Sequence, residues 1–73
     1  MDPTTQRARS ARATRRRVIE AAHDLFLKQG FRATTIREVA ERAGVSAETV
    51  YKGFGGKAGV LKAAYDVAMA GDD

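Results

Sequence analysis

At 73 residues and 7.9 kDa the chain holds one small domain, and a domain of this size buries only about 60% of the surface that its unfolded chain exposes. With 44% hydrophobic and 30% charged residues it is neither a disordered tail nor a fibrous chain, and the lack of cysteine excludes a disulfide scaffold and thiolate metal sites. The net charge of +4 is unevenly placed: residues 1–17 carry six arginines against Asp2, whereas residues 18–73 carry seven Lys or Arg against eight Asp or Glu, a layout suited to a polyanion such as nucleic acid or an acidic membrane surface.

Residues 1–13, poor in large apolar groups and rich in Arg, Ala, Thr and Ser, are expected to form a flexible basic arm. Val18, Ala22, Leu25 and Phe26 then recur on one helical face, which predicts helix 1 over about 14–29, stopped by Gly30 with Phe31 folding back on the last turn. Thr35 followed by Glu38 has the capping-box spacing and predicts helix 2 over about 36–43, ended by Gly44. Ser46 is the next N-cap, Glu48 suits the positive end of a helix dipole, and helix 3 is expected over about 47–53. Only Gly44, Val45 and Ser46 separate helices 2 and 3, which is helix-turn-helix spacing over about 35–54.

A fourth helix, about 57–70, places Val60, Leu61, Ala64, Tyr65 and Ala68 on one side and Ala63, Val67 and Met69 on others. A helix apolar on nearly every side needs more partners than three short helices supply, so the chain is expected to be a piece of a longer protein or to self-associate. Gly59 inside this helix costs about 1 kcal/mol relative to alanine. The fold class expected is a small all-α, homeodomain-like domain of three helices with the start of a fourth. No apolar run approaches the ~18 residues of a spanning helix, and no secretory signal follows the basic N-terminus, so a cytoplasmic protein that does not span a membrane is expected.

Two glycine patterns invite an enzyme reading and fail. Gly56-Lys57 lacks the rest of a P-loop, which needs Gly where Tyr51 stands and Ser or Thr where Ala58 stands. Gly53-x-Gly55-x-x-Ala58 has dinucleotide-binding spacing, but it follows a helix rather than a strand. His23 is the single histidine and has no second ligand for a metal, so neither catalysis nor any metal or cofactor is expected.

Helix 3 carries the chemistry. Its first turn holds Ala47, Glu48 and Thr49, groups small or polar enough to approach base edges, and recognition helices dock by that turn. Tyr51 and Lys52 suit phosphate contact, while Val50 and Phe54 point to the core. Tyr51 could equally be half buried with its hydroxyl at the rim, and Glu48 could accept from a cytosine amino group or only complement the helix dipole.

The run from Arg17 to Tyr65 resembles the N-terminal DNA-binding domain of TetR-type transcriptional regulators. The likeness rests on Ile19-Glu20-Ala21-Ala22, Leu25-Phe26, Gly30 to Thr35, Ile36-Arg37-Glu38-Val39-Ala40, Ala43-Gly44-Val45-Ser46, Thr49-Val50-Tyr51 and Phe54-Gly55-Gly56-Lys57. It implies a sequence-specific double-stranded DNA-binding head, probing a partly palindromic operator, whose C-terminal ligand-binding and dimerisation domain is not in this sequence. It further implies a homodimer for the full-length protein, a monomer for this chain alone, and a repressor released by a small molecule held in that second domain.

By position, the resemblance places DNA contacts at the exposed backbone N–H groups of Thr35 and Ile36, at Arg37, at Ser46, Ala47, Glu48, Thr49, Tyr51 and Lys52, and at Lys57 on the strand backbone. Arg37 could pair with guanine or be an ordinary solvent-facing charge. The chain departs from the family pattern at Gly53, Gly55 and Gly56, where members carry bulkier or polar residues. The arginines Arg7, Arg9, Arg12, Arg15, Arg16 and Arg17 exceed the needs of the head and oppose the helix 1 dipole, so they are expected on phosphates or in the minor groove. Two rival readings remain at this point: adhesion of the basic arm to acidic membranes or RNA, and a protein-interaction module using helix 4.

Overall fold

The computed structural model describes residues 6–70, with side chains described over 9–67. Four helices follow in order: α1 (Gln6–Gln29), α2 (Ile36–Ala43), α3 (Ala47–Phe54) and α4 (Lys57–Ala70). The described residues include no strand. α2 and α4 have the expected bounds, and α3 runs one residue past its expected end.

From residue 6 onward α1 corrects the expected arm over 1–13, because its helix begins at Gln6 rather than near residue 14; residues 1–5 of that arm lie outside the described residues. No Gly or Pro interrupts the stretch, and alanine and arginine, which dominate residues 7–17, are among the strongest helix formers. Charge density marks this segment as a tail, but local propensity makes it the first three turns of a 24-residue helix.

The core lies where α1, α2, α3 and α4 converge. Val18 and Ala22 of α1, Ile36, Val39, Ala40 and Ala43 of α2, Val50 of α3 and Val60 of α4 form one buried cluster, flanked by the partly buried Leu25, Phe26, Val45, Ala47 and Phe54. Val39, Val50 and Val60 have no exposed surface, and each such side chain contributes about 1.5–3 kcal/mol by leaving water. A smaller cluster joins Ile19 to Ala63 and Ala64, again against Phe54. α4 therefore faces inward through Val60, Ala63 and Ala64, whereas Leu61, Tyr65 and Val67 remain exposed. The expected pairing of Leu61 and Tyr65 with Val60 and Ala64 does not hold, and Ala68 and Met69 lie outside the described side chains.

The turns are set by local chemistry. Thr34, fully buried, donates its hydroxyl to Gly30 O at 2.7 Å, so the one buried polar side chain of the described core is satisfied. Thr35 Oγ1 accepts from Glu38 N at 3.1 Å and Glu38 Oε1 accepts from Thr35 N at 3.0 Å, which completes the capping box. Gly44 closes α2 with φ 78°, and the pair of bonds from Gly44 N to Glu41 O and from Val45 N to Ala40 O is a Schellman arrangement that a side chain at Gly44 would strain.

α3 and α4 meet closely. A Cβ on Gly59 would lie 2.9 Å from the carbonyl carbon of Phe54 and closer still to its oxygen, so only glycine lets the C-terminal end of α3 abut the first turn of α4. The helix-propensity cost read from the sequence at Gly59 is thus offset by a contact that any side chain would break.

Candidate nucleic-acid interface

α3 is held by one face and open on the other. Val50 is buried, while Ala47 and Phe54 pack half-buried against the core, which turns Glu48, Thr49, Tyr51 and Lys52 outward. Tyr51 keeps 53% of its surface exposed and is not among the residues packed on the core. Ser46 caps the helix by accepting from Thr49 N at 3.1 Å, and its hydroxyl also lies 2.9 Å from Thr49 Oγ1. The first turn of α3 is therefore preorganised, with the hydroxyls of Ser46 and Thr49 in contact and Glu48 exposed between them in the sequence.

The start of α2 contributes backbone donors. The capping box engages the N–H groups of Thr35 and Glu38, and helix geometry leaves those of Ile36 and Arg37 without an intrahelical acceptor. The side chain of Ile36 is buried at 7% exposure and belongs to the core, so this position offers only its N–H. Arg37 is exposed beside it. Ala47 likewise faces the core in part, which limits it to the edge of the outward surface.

Several cations expected on DNA are already engaged within the chain. Lys57 Nζ donates to Phe31 O at 2.7 Å and lies 4.2 Å from the centroid of the Phe31 ring, which itself stands 5.4 Å from that of Phe26. An ammonium has three N–H donors, and this contact occupies one of them. Arg15 places its guanidinium 4.7 Å from the Phe54 centroid. Arg17 donates from Nε to Ala43 O at 3.2 Å, meeting the C-terminal end of α2 where a cation is favoured. Arg15 and Arg17 thus correct the expectation that all six arginines exceed what the fold needs. Arg9, Arg12 and Arg16 are exposed along α1, and the side chain of Arg7 lies outside the described residues.

Three connections have no sequence signal or only a weak one. Gln29 Nε2 donates to Glu38 Oε1 at 2.9 Å and to Ala33 O at 3.2 Å, which ties the end of α1 to the α2 cap. Thr34 is legible only as part of a motif. Arg42 pairs with Asp24 at 3.2 Å across α1 and α2, with both side chains at least half exposed, so the pair adds no more than about 1 kcal/mol. Among the described residues no group of three or more His, Cys, Asp or Glu could hold a metal ion, and His23 is exposed on α1. No described helix is long and apolar enough to cross a membrane.

The profile of the bacterial regulatory proteins of the tetR family matches residues 18–64, which spans all of the helix-turn-helix and every residue of the two buried clusters. The chain belongs to the TetR family. Similar proteins include the uncharacterized HTH-type transcriptional regulator YvkB of Bacillus subtilis (strain 168), 44% identical over 52 residues that cover 71% of this chain and 28% of that protein. The uncharacterized HTH-type transcriptional regulator TtgW of Pseudomonas putida is 43% identical over 56 residues, or 77% of this chain and 42% of its own length. The HTH-type transcriptional regulator TtgR of the same species is 41% identical over 56 residues, covering 77% of this chain and 27% of its own. No solved structure matches at comparable significance. The TetR-family chain therefore spans between about a quarter and two fifths of the length of these relatives. It is the DNA-binding helix-turn-helix domain of that family, which is a family of transcriptional regulators and not of enzymes.

Proposed function

We propose that this domain binds a specific operator by laying the first turn of α3 in the major groove. The observation that carries the reading is the division of α3 into a buried face, anchored by Val50, and an open face bearing Glu48, Thr49, Tyr51 and Lys52. Ser46, Glu48 and Thr49 reach base edges, and Arg37 at the start of α2 reaches a neighbouring guanine. Tyr51 and Lys52, the free N–H groups of Ile36 and Arg37, and the remaining donors of Lys57 hold phosphates on either side of the groove.

In the longer protein the domain acts as one of two heads on a partly palindromic operator, blocks transcription there, and is released when a small molecule binds the C-terminal part. The relatives, each more than twice as long as the matched segment, leave room for that part. The isolated chain binds as a monomer and more weakly, because the avidity of paired heads is lost. Neutralising about five to seven phosphates gives a slope of log K against log salt of roughly −4 to −6. The test is selection of a randomised duplex library by the intact chain at moderate salt. Recovery of one short half-site supports the reading, and recovery of unrelated sequences rejects it.

A further inference from the structure

A cleft of about 480 Å³ opens between the N-terminal part of α1 and the outward side of α3, walled by Ser10 and Thr14 on one side and Thr49, Lys52 and Gly53 on the other. Phe54 closes it inward, with Arg15 stacked on that ring. The cleft exists because α1 begins at Gln6, well before the matched family segment, and because Gly53 carries no side chain: a Cβ there would meet nothing within 4 Å.

From this arrangement we infer that the cleft seats one phosphodiester of the operator strand flanking the major-groove edge. The inference rests on the operator-binding reading and adds a contact on α1 to it. Thr49 and Lys52 belong both to the cleft and to the open face of α3, so a duplex engaged by that face brings a strand to the cleft mouth. Hydroxyls of Ser10 and Thr14 are donors suited to phosphate oxygens, and the Lys52 ammonium and Arg15 guanidinium set a positive potential around them. None of the described residues lining the cleft is acidic, and the lining is mainly apolar, so the deoxyribose packs on Ala11, Val18 and Phe54 while the phosphate meets the polar rim.

The intact chain is titrated with its selected duplex, in which single phosphates are replaced one at a time by neutral methylphosphonate. For the wild type, one flanking replacement weakens binding about fivefold or more, whereas the same replacement costs the Ser10→Ala, Thr14→Ala double variant less than about twofold. Gly53→Leu fills the cleft and weakens binding about tenfold without lowering Tm, because leucine is a better helix former than glycine. Identical methylphosphonate profiles for wild type and double variant overturn the inference while leaving operator binding intact. A wild type that does not prefer the selected duplex over a scrambled one overturns operator binding itself, and the inference falls with it.

Discussion

The carbonyl oxygen of Phe54 occupies the space that a side chain on Gly59 would need, so the end of α3 and the first turn of α4 touch backbone to backbone. Phe54 also packs against both buried clusters and carries the Arg15 guanidinium on its ring. One residue at the end of α3 thus fixes that helix against α4 and against the N-terminal half of α1. The orientation of the open face of α3 follows from this joint.

Gly59→Ala tests the joint. Helix propensity alone would make alanine more stable by about 1 kcal/mol at an interior helix position. The collision with Phe54 O reverses the sign, and a net loss of about 2 kcal/mol or more is expected, which lowers Tm by roughly 8–16 °C in a domain of this size. Thermal unfolding followed by circular dichroism reads the outcome, and an unchanged or raised Tm contradicts the close contact.

Gly53→Ala is expected to do the opposite. The position lies inside α3, has no neighbour within 4 Å of a Cβ, and does not need a positive φ. Alanine there should stabilise the domain by about 0.5–1 kcal/mol, read as a higher midpoint in the same thermal unfolding experiment. The two glycines, six residues apart in the sequence, therefore separate a required contact from an unfilled space.

The cations divide by task, and salt dependence distinguishes them. Arg17→Ala removes the bond to Ala43 O and is expected to cost about 1 kcal/mol of stability while leaving the slope of log K against log salt unchanged. Lys52→Ala should do the reverse, keeping Tm and reducing the slope magnitude by about 0.9 for one lost phosphate contact. A slope that changes with Arg17 and not with Lys52 contradicts the assignment.

Lys57→Met removes the donor to Phe31 O and the cation from the Phe31 ring. The expected loss is about 1–2 kcal/mol in denaturant unfolding, because Lys57 ties the α1–α2 turn to the start of α4. No change in the unfolding midpoint contradicts that tie.

The α2-turn-α3 segment is legible in the sequence because its signals are local. Thr35 with Glu38, Gly44 and Ser46 each act within four residues, and all three form the expected caps. The start of α1 is hidden because the charge of its arginines outweighs, to a reader of composition, the helix propensity of the same residues and their alanine neighbours. The partners of Arg15, Arg17 and Lys57 lie far along the chain, at Phe54, Ala43 and Phe31, and no periodicity encodes such pairings. Of the site, the outward set on α3 follows from Val50 and Phe54 facing inward, and the burial of Ile36 is encoded in its i, i+3, i+4, i+7 spacing with Val39, Ala40 and Ala43, which leaves that position only its N–H for a ligand.

The most direct measurement is the affinity of the 73-residue chain for its selected half-site and for a scrambled duplex of equal length, with the wild type and with Thr49→Ala and Glu48→Ala. Loss of a base contact worth about 1–3 kcal/mol should cut the preference for the half-site roughly 5- to 150-fold, with scrambled-duplex affinity unchanged for Thr49→Ala and somewhat tighter for Glu48→Ala, which removes a negative charge facing the phosphates. Undiminished preference in both variants, or an equal loss on both duplexes, contradicts α3 as the element that reads the bases.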